Sequence, residues 1–226
     1  MAQPVVVHHL DNSRSHRVLW LLEELGVPYE VKHYARDPKT LRAPASLTAV
    51  HPLGKSPVVS VDDQVLAESG AIVEFLIARF GQGRLIPPSG SPERLRYTYF
   101  LHYAEGSLMP LLLLSLVFTN MPKGPMPFFV RPIAKAISQR GLGILVRPQL
   151  TQHLDFLEGE LQKSTWFAGE ELSGADIQMS YPLEAAATRA GIDSSRPKLL
   201  AYLERMRARP AYQRALKSGG ELKLPG

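Results

Sequence analysis

Four consecutive polar residues stand between the first two regular segments of the chain: Asn12, Ser13, Arg14 and Ser15. Before them, the valine-rich segment Pro4 to Leu10 is typical of a strand buried on both faces, and the leucines after them recur at helical spacing. A strand-to-helix turn offers free backbone N–H groups and the positive end of a helix dipole, which together suit an anion. One of the four residues is expected to cap the helix, and four exceed what a cap needs. The turn is therefore a candidate anion site.

Two further motifs suit a peptide-like ligand. Pro57 follows Gly54-Lys55-Ser56 and opens an apolar segment, where an X-Pro bond can be cis and where Ser56 can present backbone groups to an extended peptide. Glu68 and Ser69 begin the next helix-like segment. A carboxylate and a hydroxyl beside free N–H groups can hold a ligand that has both an ammonium and a carboxylate. An ordinary strand proline and a simple helix cap would give the same two patterns.

Composition excludes other kinds of chemistry. The chain has 226 residues, no cysteine and a formal net charge of +5, so disulfides, zinc–thiolate sites and cysteine nucleophiles are excluded. The seven histidines include no pair spaced to share one helix face, and His8 and His9 lie on a strand whose successive side chains point to opposite faces. We therefore predict no metal site. The sequence also has no phosphate-binding loop, dinucleotide fingerprint or GxSxG elbow.

The positive charge is confined to the second part of the chain. Residues 1–84 carry nine basic and nine acidic residues, whereas residues 85–226 carry 17 and 12. A solvated face is the ordinary interpretation, and attraction of anionic ligands is the alternative. We expect no nucleic-acid partner.

The most apolar run, Leu108 to Phe118, contains Pro110 and is shorter than the roughly 20 residues that span a membrane. With no secretory signal visible, we expect a cytoplasmic protein without a membrane partner.

The elements that must position these motifs follow from periodicity. Two strands, Pro4 to Leu10 and Tyr29 to Tyr34, joined by one helix form a βαβ unit with parallel, neighbouring strands. After a stretch that allows a short irregular helix, Ser56 to Val61 and Gln64 to Ala67 pair as a hairpin, and a helix capped by Ser69 follows. Residues 1–84 are thus expected to form a mixed sheet with helices on its faces.

A Pro/Gly/Ser-rich linker at residues 85–92 separates this domain from residues 93–226, which show no strand alternation. The pattern predicts one long helix from Glu93 to Phe118, eased at Gly106 and Pro110, and a Pro-rich loop from Met121 to Pro132. Further helices are expected over 133–163, 173–190 and 197–217. The fold class is therefore α+β, with an all-α second domain.

Taken in order along the chain, these motifs resemble those of the glutathione transferase family. HPLGKSPVV (residues 51–59) and LAESGAI (66–72) are similar to its glutathione-site signatures. LSGADI (172–177) is similar to its buried helix cap, in which Ser173 reaches Asp176. The serine-containing first turn resembles that of a bacterial and fungal subgroup. The resemblance covers nearly the whole chain and implies a thioredoxin-like βαβ-ββα first domain, glutathione as cosubstrate with no other cofactor, and a homodimer.

The resemblance assigns a role to each matching residue. Pro57 would be a cis proline, and Ser56 would pair its backbone with the cysteinyl part of glutathione. Charged and hydroxyl side chains would hold the two ends of the tripeptide, namely Glu68 and Ser69 at the γ-glutamyl end and Lys55 and His51 at the glycine carboxylate. Glu105, on the long helix, would reach the site of the neighbouring subunit.

The same resemblance implies catalysis through the thiol of glutathione. A free thiol has a pKa of about 8.5, so a hydroxyl donor and a helix N-terminus that favour the thiolate would increase its reactivity at neutral pH. Ser13 is the expected donor. Asn12, Arg14 and Ser15 are the alternatives, since the catalytic position differs among subgroups by a residue or so. The first strand has no tyrosine, which other classes use, and the lack of cysteine excludes mixed-disulfide chemistry through a protein thiol.

A small hydrophobic electrophile or a peroxide would be the second substrate, bound near Tyr99, His102 or Tyr103 and covered by the segment from Met121 to Pro132. Conjugation of glutathione to such an electrophile, a detoxification reaction, is the leading hypothesis. Glutathione-dependent reduction of peroxides or disulfides is the first alternative. A non-catalytic binding or scaffold role is the second.

Overall fold

The computed structural model describes residues 4–40 and 42–224. Its sheet has four strands in the order β2-β1-β3-β4, which are β1 (Val5–Leu10), β2 (Tyr29–Tyr34), β3 (Val58–Val61) and β4 (Gln64–Ala67). β1 and β2 are parallel, and β3 is antiparallel to both β1 and β4. The predicted βαβ unit and hairpin are therefore confirmed, and the sheet is mixed.

Helix α1 (Ser15–Leu25) connects the parallel strands and is buried on almost every side. Its central residues, 18–22, have no exposed surface. This is because β1, α3 (Ser69–Phe80), α8 (Gly174–Arg189) and α10 (Pro210–Gly219) all pack against it. The start of α1 and the polar turn before it are thus fixed by packing from several directions.

The start of α3 differs from the prediction. The sequence predicts Ser69 as the helix cap, but Glu68 occupies that position with a φ of 70°, and Ser69 is the first helical residue. The hydroxyl of Ser69 instead accepts hydrogen bonds from Arg17 and Gln178. The prediction is wrong because two donors that are distant in sequence bind this oxygen, and a local pattern does not show them.

One helical run extends from Pro92 to Lys123. It consists of α4 (Pro92–Tyr103), a π turn (Ala104–Leu108), α5 (Met109–Asn120) and a short 3₁₀ turn. The π turn contains Gly106 and ends just before Pro110, where the sequence predicts the helix to be eased, because proline cannot donate an N–H. By length and apolarity alone the run is long enough to cross a membrane, but 44% of its most apolar window is buried inside the molecule. It packs there against α8, as a core helix does.

The other helices of the described chain are α2 (Ala45–Thr48), α6 (Arg131–Gly141), α7 (Arg147–Lys163), α8, α9 (Pro197–Ala208) and α10, with a second π turn (Leu142–Val146) after α6. The prediction of a single helix over 197–217 is wrong.

The helix breaks at Arg209, whose ψ of 130° is extended. The reason is that Pro210 lacks an N–H donor and disfavours a helical conformation in the residue before it. α6 begins inside the predicted loop, with Pro132 in its first turn, where a missing N–H breaks no hydrogen bond.

Helix α8 joins the two parts of the molecule. A capping box between Ser173 and Asp176 fixes its N-terminus, and Asp176 also accepts the N–H of Phe167. α8 packs against α1, α3 and α4, and α10 returns to α1, so one hydrophobic core runs through both parts. Beyond β4, the described residues form helices and loops without a strand. The domain limits at 84 and 93 stay a prediction.

Candidate functional site

The polar turn between β1 and α1 contains a buried hydroxyl at the end of the sheet. Ser13 is 4% exposed, and its Oγ donates to Ser56 Oγ at 3.2 Å and accepts the N–H of Ser15 at 3.3 Å. Asn12 has a φ of 52°, and its Oδ1 accepts the N–H of Lys223 at 2.7 Å. Ser15 has no exposed surface. Asn12 and Ser15 are therefore engaged within the protein, and Ser13 is the hydroxyl of the turn that reaches a cavity.

A two-part cleft lies between this turn, the loop before β3 and the start of α3. One part, of about 600 Å³, is lined by Ser13, Arg14, Lys55 and Ser56 among others. The adjoining part, of about 290 Å³, shares Arg14, Lys55 and Ser56 and adds His51, Pro57, Glu68, Ser69 and Glu105. Nine of the residues that the sequence singles out thus meet at one cleft, although they come from four separate segments.

The loop before β3 is tied to the end of β1. The Ser56-Pro57 peptide bond is cis. Ser56 Oγ donates to the carbonyl of His8 at 3.0 Å and accepts the N–H of Leu10 at 3.3 Å. Gly54, with a φ of 54°, turns closely past α2, where a Cβ would lie 2.9 Å from Thr48 Oγ1. These contacts hold the loop beside Ser13.

A charged network forms the wall of the cleft nearest the helical run. Arg17 is fully buried, and its Nη1 donates to Glu105 at 2.5 Å and to Ser69 Oγ at 3.0 Å. Arg14 Nε lies 3.0 Å from both carboxylate oxygens of Glu105. Burial works to raise the pKa of Glu105, but the ion pairs with Arg17 and Arg14 outweigh it and hold the pKa below its usual value. Glu105 is therefore a carboxylate at neutral pH, and in this chain it binds residues of its own cleft.

Three charged or aromatic residues that line the larger part of the cleft were not singled out by the sequence: Arg36, Arg42 and Tyr181. The two arginines lie in the loop around α2 and make this part strongly basic. The only sequence feature that marks them is their position between β2 and β3, in the stretch that allows a short irregular helix. Tyr181 lies on α8, and its hydroxyl donates to the carbonyl of Asn12 at 3.4 Å. A residue so far along the chain has no local signal.

The three residues predicted to bind an electrophile lie elsewhere. Tyr99, His102 and Tyr103 line neither part of the cleft. Tyr99 is half-exposed, and the buried hydroxyl of Tyr103 pairs with His153 on α7. Burial raises the pKa of Tyr103 far above its usual value. From the same helical run it is Glu105, rather than these rings, that reaches the cleft.

His9 contacts the polar turn of this site through Ser15, which the sequence does not reveal. It is fully buried, and its Nδ1 lies 2.8 Å from Ser15 Oγ. It faces His33, its register partner across β1 and β2, and the possible ligand atoms of His9, Asp11 and His33 lie within 4.8 Å of one another. This group has a spacing that a metal ion could use, but Asp11 and His33 are exposed and Nδ1 of His9 is already engaged with Ser15.

Comparison with known proteins gives a consistent result. Residues 3–78 match the family model described as "Glutathione S-transferase, N-terminal domain", and residues 145–210 match "Glutathione S-transferase, C-terminal domain". The chain is 35% identical over 197 residues to glutathione S-transferase 1 of Saccharomyces cerevisiae, which covers 84% of each chain.

Two solved structures extend the likeness to three dimensions. A glutathione S-transferase from Actinobacillus pleuropneumoniae superposes with a TM-score of 0.78 at 33% identity, covering 96% of this chain and 94% of the other. A sphingomonad glutathione S-transferase complexed with glutathione gives 0.72 at 25% identity, covering 95% and 98%. The similarity therefore extends over both the sheet and the helical part.

Proposed function

Because this chain belongs to the glutathione S-transferase family, we propose that the cleft binds glutathione and that Ser13 activates its thiol for attack on a small hydrophobic electrophile. The observation that carries the proposal is the position of Ser13. It is the one hydroxyl of the polar turn that lines the cleft, and it lies within hydrogen-bond distance of Ser56, beside the cis proline. The serine-containing first turn favours the bacterial and fungal subgroup, and the reaction would be conjugation of glutathione to the electrophile.

The charges of the cleft support a zwitterionic tripeptide as the ligand. Glutathione carries two carboxylates and one ammonium at neutral pH. Lys55 and His51 would bind the glycine carboxylate, and Glu68 and Ser69, which line the same part of the cleft, would bind the γ-glutamyl end. Arg14 lines both parts of the cleft and pairs with Glu105. Opposite charges at both ends would fix the tripeptide so that its cysteinyl part meets Ser56 and Ser13.

The chemistry requires a thiolate. The hydroxyl of Ser13 would donate a hydrogen bond to the sulfur, and the N-terminus of α1, which begins two residues later, adds a favourable dipole. Each unit by which the thiol pKa falls corresponds to about 1.4 kcal/mol of preferential stabilisation of the thiolate. The thiol proton is released to water as the thiolate forms. The sulfur then forms a bond to the electrophilic carbon, and either the leaving group departs with its bonding electron pair or the adduct takes up a proton from water.

The first experiment replaces the hydroxyl. In Ser13→Ala, the pKa of the thiol of bound glutathione should rise by about one unit, and kcat near neutral pH should fall about tenfold. The reason is that a hydrogen bond to a charged group contributes about 1.5–3 kcal/mol. Glutathione affinity should change little. The readouts are the ultraviolet absorbance of the thiolate against pH and steady-state kinetics with a model electrophile. Ser60→Ala, a serine of β3 outside the cleft, is the control.

The product distinguishes the reaction types. A product mass that includes glutathione indicates conjugation, whereas oxidised glutathione indicates peroxide or disulfide reduction by the same thiolate. Binding without turnover of electrophiles, peroxides or disulfides would support the scaffold alternative. An unchanged thiol pKa in Ser13→Ala would show that Ser13 is not the donor.

A further inference from the structure

A line of hydrogen bonds leads from the cleft into the protein. Ser13 Oγ lies 2.7 Å from Ser15 Oγ, which in turn lies 2.8 Å from His9 Nδ1. Ser15 and His9 have no exposed surface, and Ser13 has almost none. Neither Ser15 nor His9 lines the cleft. The hydroxyl nearest the proposed thiol is thus connected to a buried imidazole that no ligand in the cleft would touch.

The direction of each bond in this line follows from counting protons. Ser13 has one hydroxyl proton and donates it to Ser56 Oγ at 3.2 Å, while the proton of Ser56 goes to the carbonyl of His8. The bond between Ser13 and Ser15 must therefore be donated by Ser15. Since that uses the single proton of Ser15, the bond to His9 must be donated by its Nδ1–H. Both acceptor positions of Ser13 Oγ are then filled by Ser15, by its N–H and its O–H.

The surroundings of His9 are compatible with a neutral ring that carries its proton on Nδ1. Nε2 is buried and has no partner in hydrogen-bond geometry among the described residues, while the nearby Gly219 backbone favours a protonated ring. Burial, followed by the nearby His33, lowers the pKa of His9, although Asp11 and the Gly219 backbone act in the opposite direction. The ring of His16 stands edge-on at 5.0 Å. A neutral imidazole has one donor and one acceptor nitrogen, and here Ser15 faces the donor.

We propose that His9 is a positioning residue for thiol activation, acting through Ser15 to keep the proton of Ser13 directed at the glutathione sulfur. This inference rests on the function proposed above. With both of its acceptor positions occupied by Ser15, Ser13 can take part in the site only as a donor. When glutathione binds, that proton turns from Ser56 to the sulfur, and the donated bonds behind it polarise the hydroxyl further. No proton is transferred along the line.

His8 provides a matched comparison on the same strand. It is also buried, but its ring points to the other face of the sheet, where Nδ1 lies 2.9 Å from the hydroxyl of Tyr34 and Nε2 lies 2.9 Å from Ser60 Oγ. Its side chain has no connection to Ser13. Replacing His8 or His9 by leucine therefore removes a buried imidazole from β1 in both cases, but only the change at His9 breaks the line.

The test measures the pKa of bound glutathione by thiolate absorbance, together with kcat and KM. His9→Leu and Ser15→Ala should each raise that pKa by about half a unit and lower kcat near neutral pH about threefold, because polarisation changes a charge-assisted hydrogen bond by about a fifth and its orientation is lost as well. KM for glutathione should stay the same.

The thiol pKa in the double variant should rise no further than in either single variant, since both substitutions break the same line of hydrogen bonds. His9→Asn, whose amide N–H can take the place of Nδ1–H, should restore the wild-type pKa.

The outcomes separate this inference from the proposed function. If Ser13→Ala raises the thiol pKa while Ser15→Ala and His9→Leu leave it unchanged, the role of His9 is refuted and the function of the cleft stands. If the two effects add in the double variant, or if His8→Leu gives the same shift as His9→Leu, the line is refuted as well. If the wild type does not lower the thiol pKa at all, the proposed function itself fails. Should His9→Leu not fold, Ser15→Ala and His9→Asn decide the question.

Discussion

Both ring nitrogens of His16 are buried without a hydrogen bond to any described residue. Burial, and then the nearby His9, lower the pKa of His16 to about 4, so its ring is neutral in the folded chain at pH 7. In the unfolded chain the pKa returns to about 6.5. At a pH between these two pKa values, the unfolded chain therefore binds the proton more readily than the folded chain does. Lowering the pH from 7 to 5 should therefore reduce the free energy of unfolding by about 2 kcal/mol through His16 alone.

Comparison with His16→Leu isolates this contribution from that of all other groups. Urea unfolding of the two proteins at pH 7 and pH 5 should show that the variant loses about 2 kcal/mol less than the wild type over this interval. The same substitution at the exposed His102 is the control. An equal loss in the wild type and His16→Leu would contradict the argument from burial.

The residues that could be predicted from the sequence belong to short local motifs. Ser13, Pro57 and Glu68 each lie at a turn whose residue types are typical of a binding site, and the structure brings the three residues to one cleft. Arg17 and His9 could not be predicted in the same way. Each lies within a helix or strand, where the local pattern predicts only a buried side chain. Its contact with the site depends on a partner that is brought near by folding.

The capping box of α8 connects the helix to the loop before it. Asp176 accepts the N–H of Ser173 and the N–H of Phe167, each at 2.9 Å, and has no exposed surface. Asp176→Ala would leave both donors buried and unpaired. We expect it to lower the free energy of unfolding by about 3 kcal/mol, since a lost cap and an unpaired buried donor each cost about 1–2 kcal/mol.

A less buried cap provides the control for this prediction. Ser91 Oγ accepts the N–H of Arg94 at 3.2 Å at the start of α4, and it is partly exposed. Ser91→Ala should cost about 1 kcal/mol or less, because water can replace the lost bond. Chemical unfolding monitored by circular dichroism measures both variants. Equal losses at the two caps would show that the buried bonds of Asp176 add nothing.

Strands and most helices could be predicted because their periodicity is local. Two strand pairings also followed, since one helix between two strands makes them parallel neighbours and a tight turn makes a hairpin. The pairing of β1 with β3, which completes the sheet, was not predicted. The prediction failed where an element depends on a backbone detail, since Pro210 divides the last predicted helix. The start of α3 failed for a different reason, since distant partners determine the role of Ser69.

At the scale of the whole molecule, large apolar side chains remain exposed along the helical run. Leu95 and Tyr99 on α4 are 75% and 50% exposed, and Leu113 and Val117 on α5 are 53% and 48% exposed. Each pair is one helical turn apart, so it presents an apolar strip to the outside. Such a surface is typical of a site where a second protein packs. It supports the homodimer that the resemblance implies, and we propose that Tyr99 lies at the subunit contact rather than at the substrate.

Light scattering coupled to gel filtration should therefore give twice the mass of one chain. Leu95→Lys combined with Tyr99→Glu should shift the protein towards the monomer at micromolar concentration, because each introduces a charge into an apolar contact. Phe128→Glu, a change at an exposed aromatic ring in the loop before α6, is the control and should leave the mass unchanged. A monomeric wild type, or a dimer that survives the double change, would refute this location of the interface.

The return of α10 to α1 has a consequence for how the protein is made. Arg209 and Glu24 form an ion pair across 185 residues of sequence, and Tyr212 packs edge-on against Trp20. While the ribosome is still translating the helical part, α1 has no cover on this side and Trp20 is exposed. We therefore expect the first part of the nascent chain to expose apolar surface of the kind that chaperones bind until α10 emerges and docks. The turn that contains Ser13 reaches its final position only then, so activity should belong to the finished chain rather than to its first half.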